Sequence, residues 1–234
     1  LNPEVMKQWH DGTGLDIYDG YGQTETVLLV GNYRAIPIKP GSMGKPMPGF
    51  QIAIVDAEGQ ELPIGEEGQI AVKVKPERPV GLFREYWKDA ESMERSFHGE
   101  WYFTGDKAYR DADGYFWFVG RADDVIISAG YRIGPFEVES ALIEHPAVAE
   151  SAVVASPDPV RGEIVKAFVI LAPGYVPSDE LAQSLQEHVR NATAPYKYPR
   201  AIEFVAELPK TISGKIRRVE LRDAEFQKGA QPSA

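Results

Sequence analysis

No cysteine occurs among the 234 residues, so there is no disulfide framework, no thiolate nucleophile and no cysteine-ligated zinc. Histidine is scarce as well: His10, His98, His145 and His188 are scattered, without the spacing of zinc ligands. No apolar run reaches membrane-spanning length, so no integral membrane segment is expected, and no signal-peptide pattern opens the chain. Positive charge is in deficit, with 25 Lys and Arg against 35 Asp and Glu. The net charge of −10 argues against nucleic acid as a main partner, because phosphate backbones need clustered cations. What is present is the 43% hydrophobic and 26% charged content of a globular protein, long enough to bury a substantial core.

The chain opens on Leu1, already inside a pattern, and is expected to be part of something longer. Ile17 leads into Gly20-Tyr21-Gly22-Gln23-Thr24-Glu25, a strand end turning into a polar loop. From Gly41 to Gly120, short alternating runs such as Ile52–Val55, Ile70–Val74 and Tyr115–Val119 are separated by Gly and Pro turns. This spacing predicts a small antiparallel barrel or sandwich, with Trp87, Trp101 and Trp117 packing it. After Arg121 the pattern changes. Val125–Ile127 and Tyr131–Ile133 predict a hairpin, Pro135 a helix start, and Pro146 its stop. Strands are expected near 151–155, 165–171 and 202–205. Ser178 caps a helix with Leu181, Leu185 and Val189 as its stripe, and a final helix begins near Val219. Helices and strands mix without strict alternation, giving an α+β class with a domain boundary at about Asp123.

Four short strings carry chemistry-bearing side chains. In Tyr21–Glu25, Thr24 suits a phosphate contact and Glu25 a magnesium ion. Thr104-Gly105-Asp106 ends a strand-like stretch on a carboxylate suited to accepting two vicinal hydroxyls. Gly120–Asp124 sets Arg121 beside Asp123 and Asp124, and Pro209–Lys215 presents Lys215 on a Ser213-Gly214 turn as a mobile point charge. Each string taken alone also reads as an ordinary loop, and Arg121 with Asp123 as a solvated pair of little energetic weight.

Taken together and in this order, the strings resemble the acyl-CoA synthetases of the adenylate-forming superfamily. The matching runs are YGQTE at 21–25, TGD at 104–106, GRADDVI at 120–126, SAGYRIGPFEVE at 128–139 and LPKTISGKIRR at 208–218. GSMGKPMPG at 41–49 and GEEGQIAVK at 65–73 join them, so the resemblance spans nearly the whole chain. Tyr196–Arg200 followed by Leu208–Arg218 is similar to the medium-chain acyl-CoA synthetases in particular. Acetyl-CoA synthetases carry Trp-Trp where this chain has Tyr21-Gly22. An indole replaced by hydrogen leaves room for several methylenes, at about 0.8 kcal/mol each when buried, so a medium-chain, branched or aromatic acid is expected.

The resemblance implies a carboxyl-terminal portion of the family fold: residues 1–32 ending the large domain, 33–122 a barrel-like part of it, and 123–234 a mobile smaller domain. It implies the cofactors ATP/AMP, coenzyme A and Mg²⁺, and a small carboxylic acid as substrate. Asp19, Gly20, Tyr21, Gly22 and Gln23 would line the adenine site, Thr24 contact the α-phosphate, and Glu25 hold Mg²⁺. Asp106 would grip the ribose, with Arg121 on the ribose and phosphate side. Lys215 would bridge phosphate and carboxylate during adenylation, and Asp123 would be the hinge. Ser128, Ala129, Gly130, Tyr131 and Arg132 would face coenzyme A after rotation, with Gly130 letting the pantetheine arm pass, and Arg132 and Arg161 would meet its phosphates. Arg161 reads equally as a solvent-facing loop residue. The expected location is the cytoplasm, or the mitochondrial matrix in a eukaryote.

The family's Ser/Thr/Gly-rich loop ending in Pro-Lys is not found, and Gly41–Pro46 reads as a turn rather than a phosphate loop. The chain alone is therefore not expected to catalyse the overall reaction. Asp111-Ala112-Asp113-Gly114 resembles a calcium loop but has Tyr115 at a ligand position, and reads as a hairpin turn. An aryl-CoA ligase, or a non-catalytic nucleotide- or coenzyme-A-binding module, is the alternative reading.

Overall fold

The computed structural model describes residues 1–212 and 214–230, in two compact units, Leu1–Ala122 and Asp123–Ala234. Ser213, of the expected Ser213-Gly214 turn, and residues 231–234 lie outside the described residues.

Unit 1 begins with α1 (Pro3–Thr13), which Asn2 caps by accepting from the Glu4 amide and Gly14 ends in a left-handed conformation. Strands β1 (Gly20–Gln23), β2 (Val27–Gly31) and β3 (Lys45–Pro46) form a three-stranded antiparallel sheet. β4 (Ile52–Val55) and β5 (Gly68–Lys73) follow, then α2 (Ala90–Ser96), β6 (Phe97–His98), β7 (Trp101–Arg110) and β8 (Phe116–Arg121). These strands make a second sheet in the order β4-β5-β7-β6, with β8 also on β7. The antiparallel character is as expected, but both sheets are open and no closed barrel forms among the described residues.

Packing explains the alternation read in the sequence. Leu29, Val30, Ile54, Ile70, Val72, Tyr102 and Phe116 share one buried cluster, and Val55, Ala71 and Trp101 another. Trp117 stacks on Tyr109 at 6.2 Å. Trp87 departs from the expectation: it is 82% exposed and packs no core. The chain turns at residues 40–42 and enters β3 at Lys45, and Gly44 is obligatory on the way. Its φ is +96°, and a Cβ would lie 2.0 Å from the Gly31 carbonyl carbon. At Asp111–Gly114 the place a calcium ion would need is taken by Lys39, whose ammonium bonds Asp111 (2.8 Å) and Asp113 (2.6 Å).

Unit 2 opens with the hairpin β9 (Ile126–Ser128) and β10 (Tyr131–Ile133), followed by α3 (Pro135–Ile143). The two-residue loop has Ala129 at φ +49° and Gly130 at φ +85°, the pattern of a type I′ turn. Long strands β11 (Val148–Asp158) and β12 (Gly162–Leu171) pair along their whole length, α4 spans Asp179–Ala192, and β13 (Ala201–Phe204) joins β12 in parallel. Helix α5 (Arg218–Ala230) completes the unit. Ser178 caps α4 by accepting from Leu181, and Leu185 and Val189 are fully buried among Val138, Leu142, Val153 and Val165. A second layer of contacts is ionic. Lys166 bonds Glu203 (2.7 Å) and Glu225 (2.8 Å), and Ser156 donates to the far oxygen of Glu225 (2.9 Å).

Candidate functional site

In unit 1 the strand β1 carries the Tyr21–Glu25 string to the middle of β7. The Tyr21 hydroxyl donates to Asp106 Oδ2 at 2.6 Å, and Gln23 Nε2 donates to the same oxygen at 2.8 Å. Gln23 Nε2 also reaches the Thr104 carbonyl (2.8 Å), while its Oε1 accepts from the Tyr102 hydroxyl (3.2 Å). Residues some eighty positions apart are thereby joined through one buried carboxylate, Asp106 being 8% exposed. Burial, then the Asp106 charge and its hydrogen bond, push the Tyr21 hydroxyl far above the ordinary tyrosine pKa, so it remains a donor. Arg121, at the end of β8, is the cross-strand partner of Asp106.

Thr24 is exposed at the tip of the β1–β2 turn, and Glu25 is half-buried beside it. The turn is fixed by Thr26, which is fully buried: its Oγ1 accepts from the Gln23 amide at 2.9 Å, and its own amide donates to the Gln23 carbonyl at 3.1 Å. Sequence reasoning passed over Thr26, although a short hydroxyl bonding nearby backbone is a known turn signal. Tyr86 was also passed over; its hydroxyl donates to Glu25 Oε1 at 3.0 Å. Gln23, Glu25, Tyr86, Arg95, Thr104 and Arg121 line a cleft of about 340 Å³. A larger cleft of about 540 Å³, walled by Pro3, Met6, Ile17, Ile36 and Ile38, contains none of the reactive candidates.

At Gly22 and Gly130 the backbone itself requires glycine. A Cβ on Gly22 would lie 1.8 Å from the Val27 carbonyl oxygen, next to a register shift in the hairpin. Gly22 thus has a local backbone reason before any reason of acyl-chain room. Gly130 has open space around its missing side chain, and its left-handed φ is sufficient cause for glycine there, without any passing ligand. Gly20 begins β1, and Asp19 accepts from both the amide (2.8 Å) and the side chain (3.1 Å) of Asn32 through its carbonyl.

In unit 2 the structure brings the Ser128–Arg132 loop and Arg161 together: the Ala129 amide donates to the Arg161 carbonyl at 3.1 Å, and Ser128 pairs with Gly162. Tyr131 and Arg132 are exposed, and Ser128 is buried. Lys215 stands on a tight loop closed by the Lys210–Ile216 bridge, with its amide on Thr211 Oγ1 (3.1 Å) and its carbonyl accepting from the Thr211 amide (2.8 Å). Its side chain is exposed and has no ion-pair partner among the described residues. At the start of the unit, Arg222 donates to the Asp123 carbonyl and to Asp124 Oδ1 (3.2 Å).

Comparison with known proteins accords with this arrangement. The profile of the AMP-binding enzyme family matches residues 1–87, and that of the AMP-binding enzyme C-terminal domain matches residues 137–215. The chain belongs to the AMP-binding enzymes, the adenylate-forming superfamily. It is 61% identical over 228 residues to the mitochondrial acyl-coenzyme A synthetase ACSM3 of Mus musculus, covering 97% of this chain and 39% of the relative. To the mitochondrial ACSM4 of Homo sapiens it is 58% identical over 230 residues, covering 97% and 40%. The chain thus spans about two fifths of the length of these relatives. Among solved structures it is similar to the anthranilate CoA ligase AuaEII in complex with anthranoyl-AMP, with TM-score 0.90 and 43% identity, covering 99% of this chain and 44% of that one. A benzoate CoA ligase from Burkholderia xenovorans LB400 follows at TM-score 0.84 and 37% identity, covering 95% and 43%.

Proposed function

We propose that the whole protein is an ATP-dependent acyl-CoA ligase. A carboxylate oxygen attacks the α-phosphorus of ATP, the P–O bond to pyrophosphate breaks, and an acyl-adenylate forms. The sulfur of coenzyme A, its thiol proton lost to solvent, then attacks the acyl carbon, and AMP leaves with the bonding electrons. The observation that carries this reading is the sharing of Asp106 by Tyr21 and Gln23, which joins two distant strings of the family resemblance at one carboxylate.

Asp106 is assigned to the ribose hydroxyls, Arg121 to the ribose and phosphate side, and residues 19–23 to the adenine surroundings. Gln23 serves chiefly as a brace, since its amide is already engaged on Thr104, Asp106 and Tyr102. Thr24 is assigned to the α-phosphate. Glu25 fits a magnesium ion that arrives with the nucleotide. One carboxylate oxygen is engaged by Tyr86, and no group of three or more His, Asp or Glu forms a protein cage among the described residues. Magnesium is commonly held in this way, by one or two carboxylates together with substrate phosphates. Its part is to neutralise phosphate charge.

Lys215 supplies a second cation to the adenylation transition state, where preorganised charge counts most. Asp123 is the pivot about which unit 2 changes partners between half-reactions. The Ser128–Arg132 loop with Arg161 receives coenzyme A. A medium-chain, branched or aromatic acid is the proposed substrate; the likeness to an anthranilate and a benzoate CoA ligase supports the aromatic option, and Gly22 carries little of the argument. A mitochondrial location is proposed from the same relatives. The test is pyrophosphate release by the whole protein with a panel of carboxylic acids, read together with acyl-CoA formation. Release with none of them overturns the reading.

A further inference from the structure

The segment following β5 grips Glu25 at both ends. The Phe83 amide donates to the Glu25 carbonyl at 2.7 Å, and the Tyr86 hydroxyl donates to its Oε1 at 3.0 Å. Tyr86 is itself fixed from three sides. Its ring lies 4.6 Å from that of Phe83, its amide meets Met93 Sδ at 3.3 Å, and Asp89, three residues on, caps α2. Phe83 in turn packs edge-on against the buried Tyr102 at 5.6 Å. A carboxylate on an exposed turn samples several rotamers, whereas this one is tied to the aromatic wall of the cleft. The bond lies on Oε1, and Oε2 has no hydrogen bond among the described residues, so one oxygen is anchored while the other is presented.

We infer that Tyr86 is a positioning residue that holds the Glu25 carboxylate in register for a divalent cation bound with a nucleotide. The inference rests on the proposed reading of Glu25 as the residue that meets the metal. Carboxylates that ligate metals are characteristically oriented by such outer partners, and loss of one costs about tenfold to a hundredfold in metal affinity. A tyrosine that only packed would need no hydroxyl on this carboxylate; phenylalanine would serve equally.

The experiment is isothermal titration of the whole protein with α,β-methylene-ATP, whose α–β linkage resists cleavage, once with Mg²⁺ and once with EDTA. Tyr86→Phe keeps the ring contacts and removes only the donor. Its affinity without metal should stay within about twofold of the parent, while the gain in affinity conferred by Mg²⁺ should fall about tenfold. An unchanged Mg²⁺-dependent gain overturns the inference, as does an equal loss with and without the metal, which marks a packing role. Glu25→Gln, measured alongside, separates the two levels of the argument. If Glu25→Gln loses the magnesium gain and Tyr86→Phe keeps it, Tyr86 alone is misassigned. If Glu25→Gln keeps the gain, the reading of Glu25 fails and the positioning role falls with it.

Discussion

Arg218, the first residue of α5, closes a two-pronged pair on Glu139 of α3, with Nε to Oε1 at 2.8 Å and Nη2 to Oε2 at 2.6 Å. The Val153 amide adds a third bond to Oε1 at 2.8 Å, tying β11 to the same carboxylate. Burial lifts the Glu139 carboxyl above the ordinary carboxylate pKa, and Arg218 and Val153 work against that lift. Removing one partner strands the other charge inside the unit. Arg218→Met is therefore expected to destabilise unit 2 by about 3 kcal/mol, and the double change Arg218→Met with Glu139→Leu to recover much of the loss. Chemical denaturation of the three proteins measures both values.

The role proposed for Lys215 predicts that the two half-reactions of the proposed ligase can be separated. Its loop is held by backbone bonds rather than by the lysine side chain, so Lys215→Ala should leave the fold unchanged. Adenylation should slow by about a hundredfold or more, as on loss of a transition-state donor. Thioester formation from preformed acyl-adenylate should be spared. Equal damage to both steps in single-turnover assays would refute the assignment.

Gly22 has no room for a side chain. Gly22→Ala sets a Cβ against the Val27 carbonyl oxygen, which the backbone can relieve only by opening the β1–β2 hairpin. A cost of about 3 kcal/mol is expected, the upper part of the range for overpacking. Thermal unfolding will show it, and a variant as stable as the parent would refute the close approach.

Asp111 gives the acid side of the stability profile. Burial favours its neutral form, but Lys39, the Tyr115 amide and the Trp117 indole outweigh it and hold the carboxyl at about 2. A depressed folded-state value means the contribution is complete above the unfolded value near 3.8 and is lost as pH falls from there towards 2. Unit 1 should therefore lose stability across that window, and Asp111→Asn should flatten the loss. Denaturation midpoints between pH 5 and pH 2 supply the check.

Much of the fold is legible in the residues because its signals are local. Pro135 and Pro146 bracket α3, Ser178 caps α4, and Ile70, Ala71 and Val72 lie buried in the strand expected there. Helix α2 has no buried residue and hence no apolar stripe to read, and α1 buries only Met6. Strand β7 runs through Thr104-Gly105-Asp106, where the sequence reads as a strand end. Gly105, at φ +77°, lies where the β5–β7 register shifts between Phe103 and Lys107, so the strand continues through an irregularity there. For the candidate site, the motifs name Tyr21, Gln23 and Asp106 without saying that they touch. Periodicity carries no information about contacts across some eighty residues, and Tyr86 stands in no motif at all. The open sheets follow from the same limit, since closure depends on strand order rather than on any one strand.

The buried tie between Glu225 and Lys166 also bears on synthesis. An ammonium set into the middle of β12 waits for a carboxylate fifty-nine positions downstream. While that stretch is still inside the ribosome, β11 and β12 can pair, but the lysine they enclose has Glu203 at most as counter-charge and lacks the more deeply buried Glu225. Unit 2 should therefore reach its final packing only once residue 225 has left the ribosome.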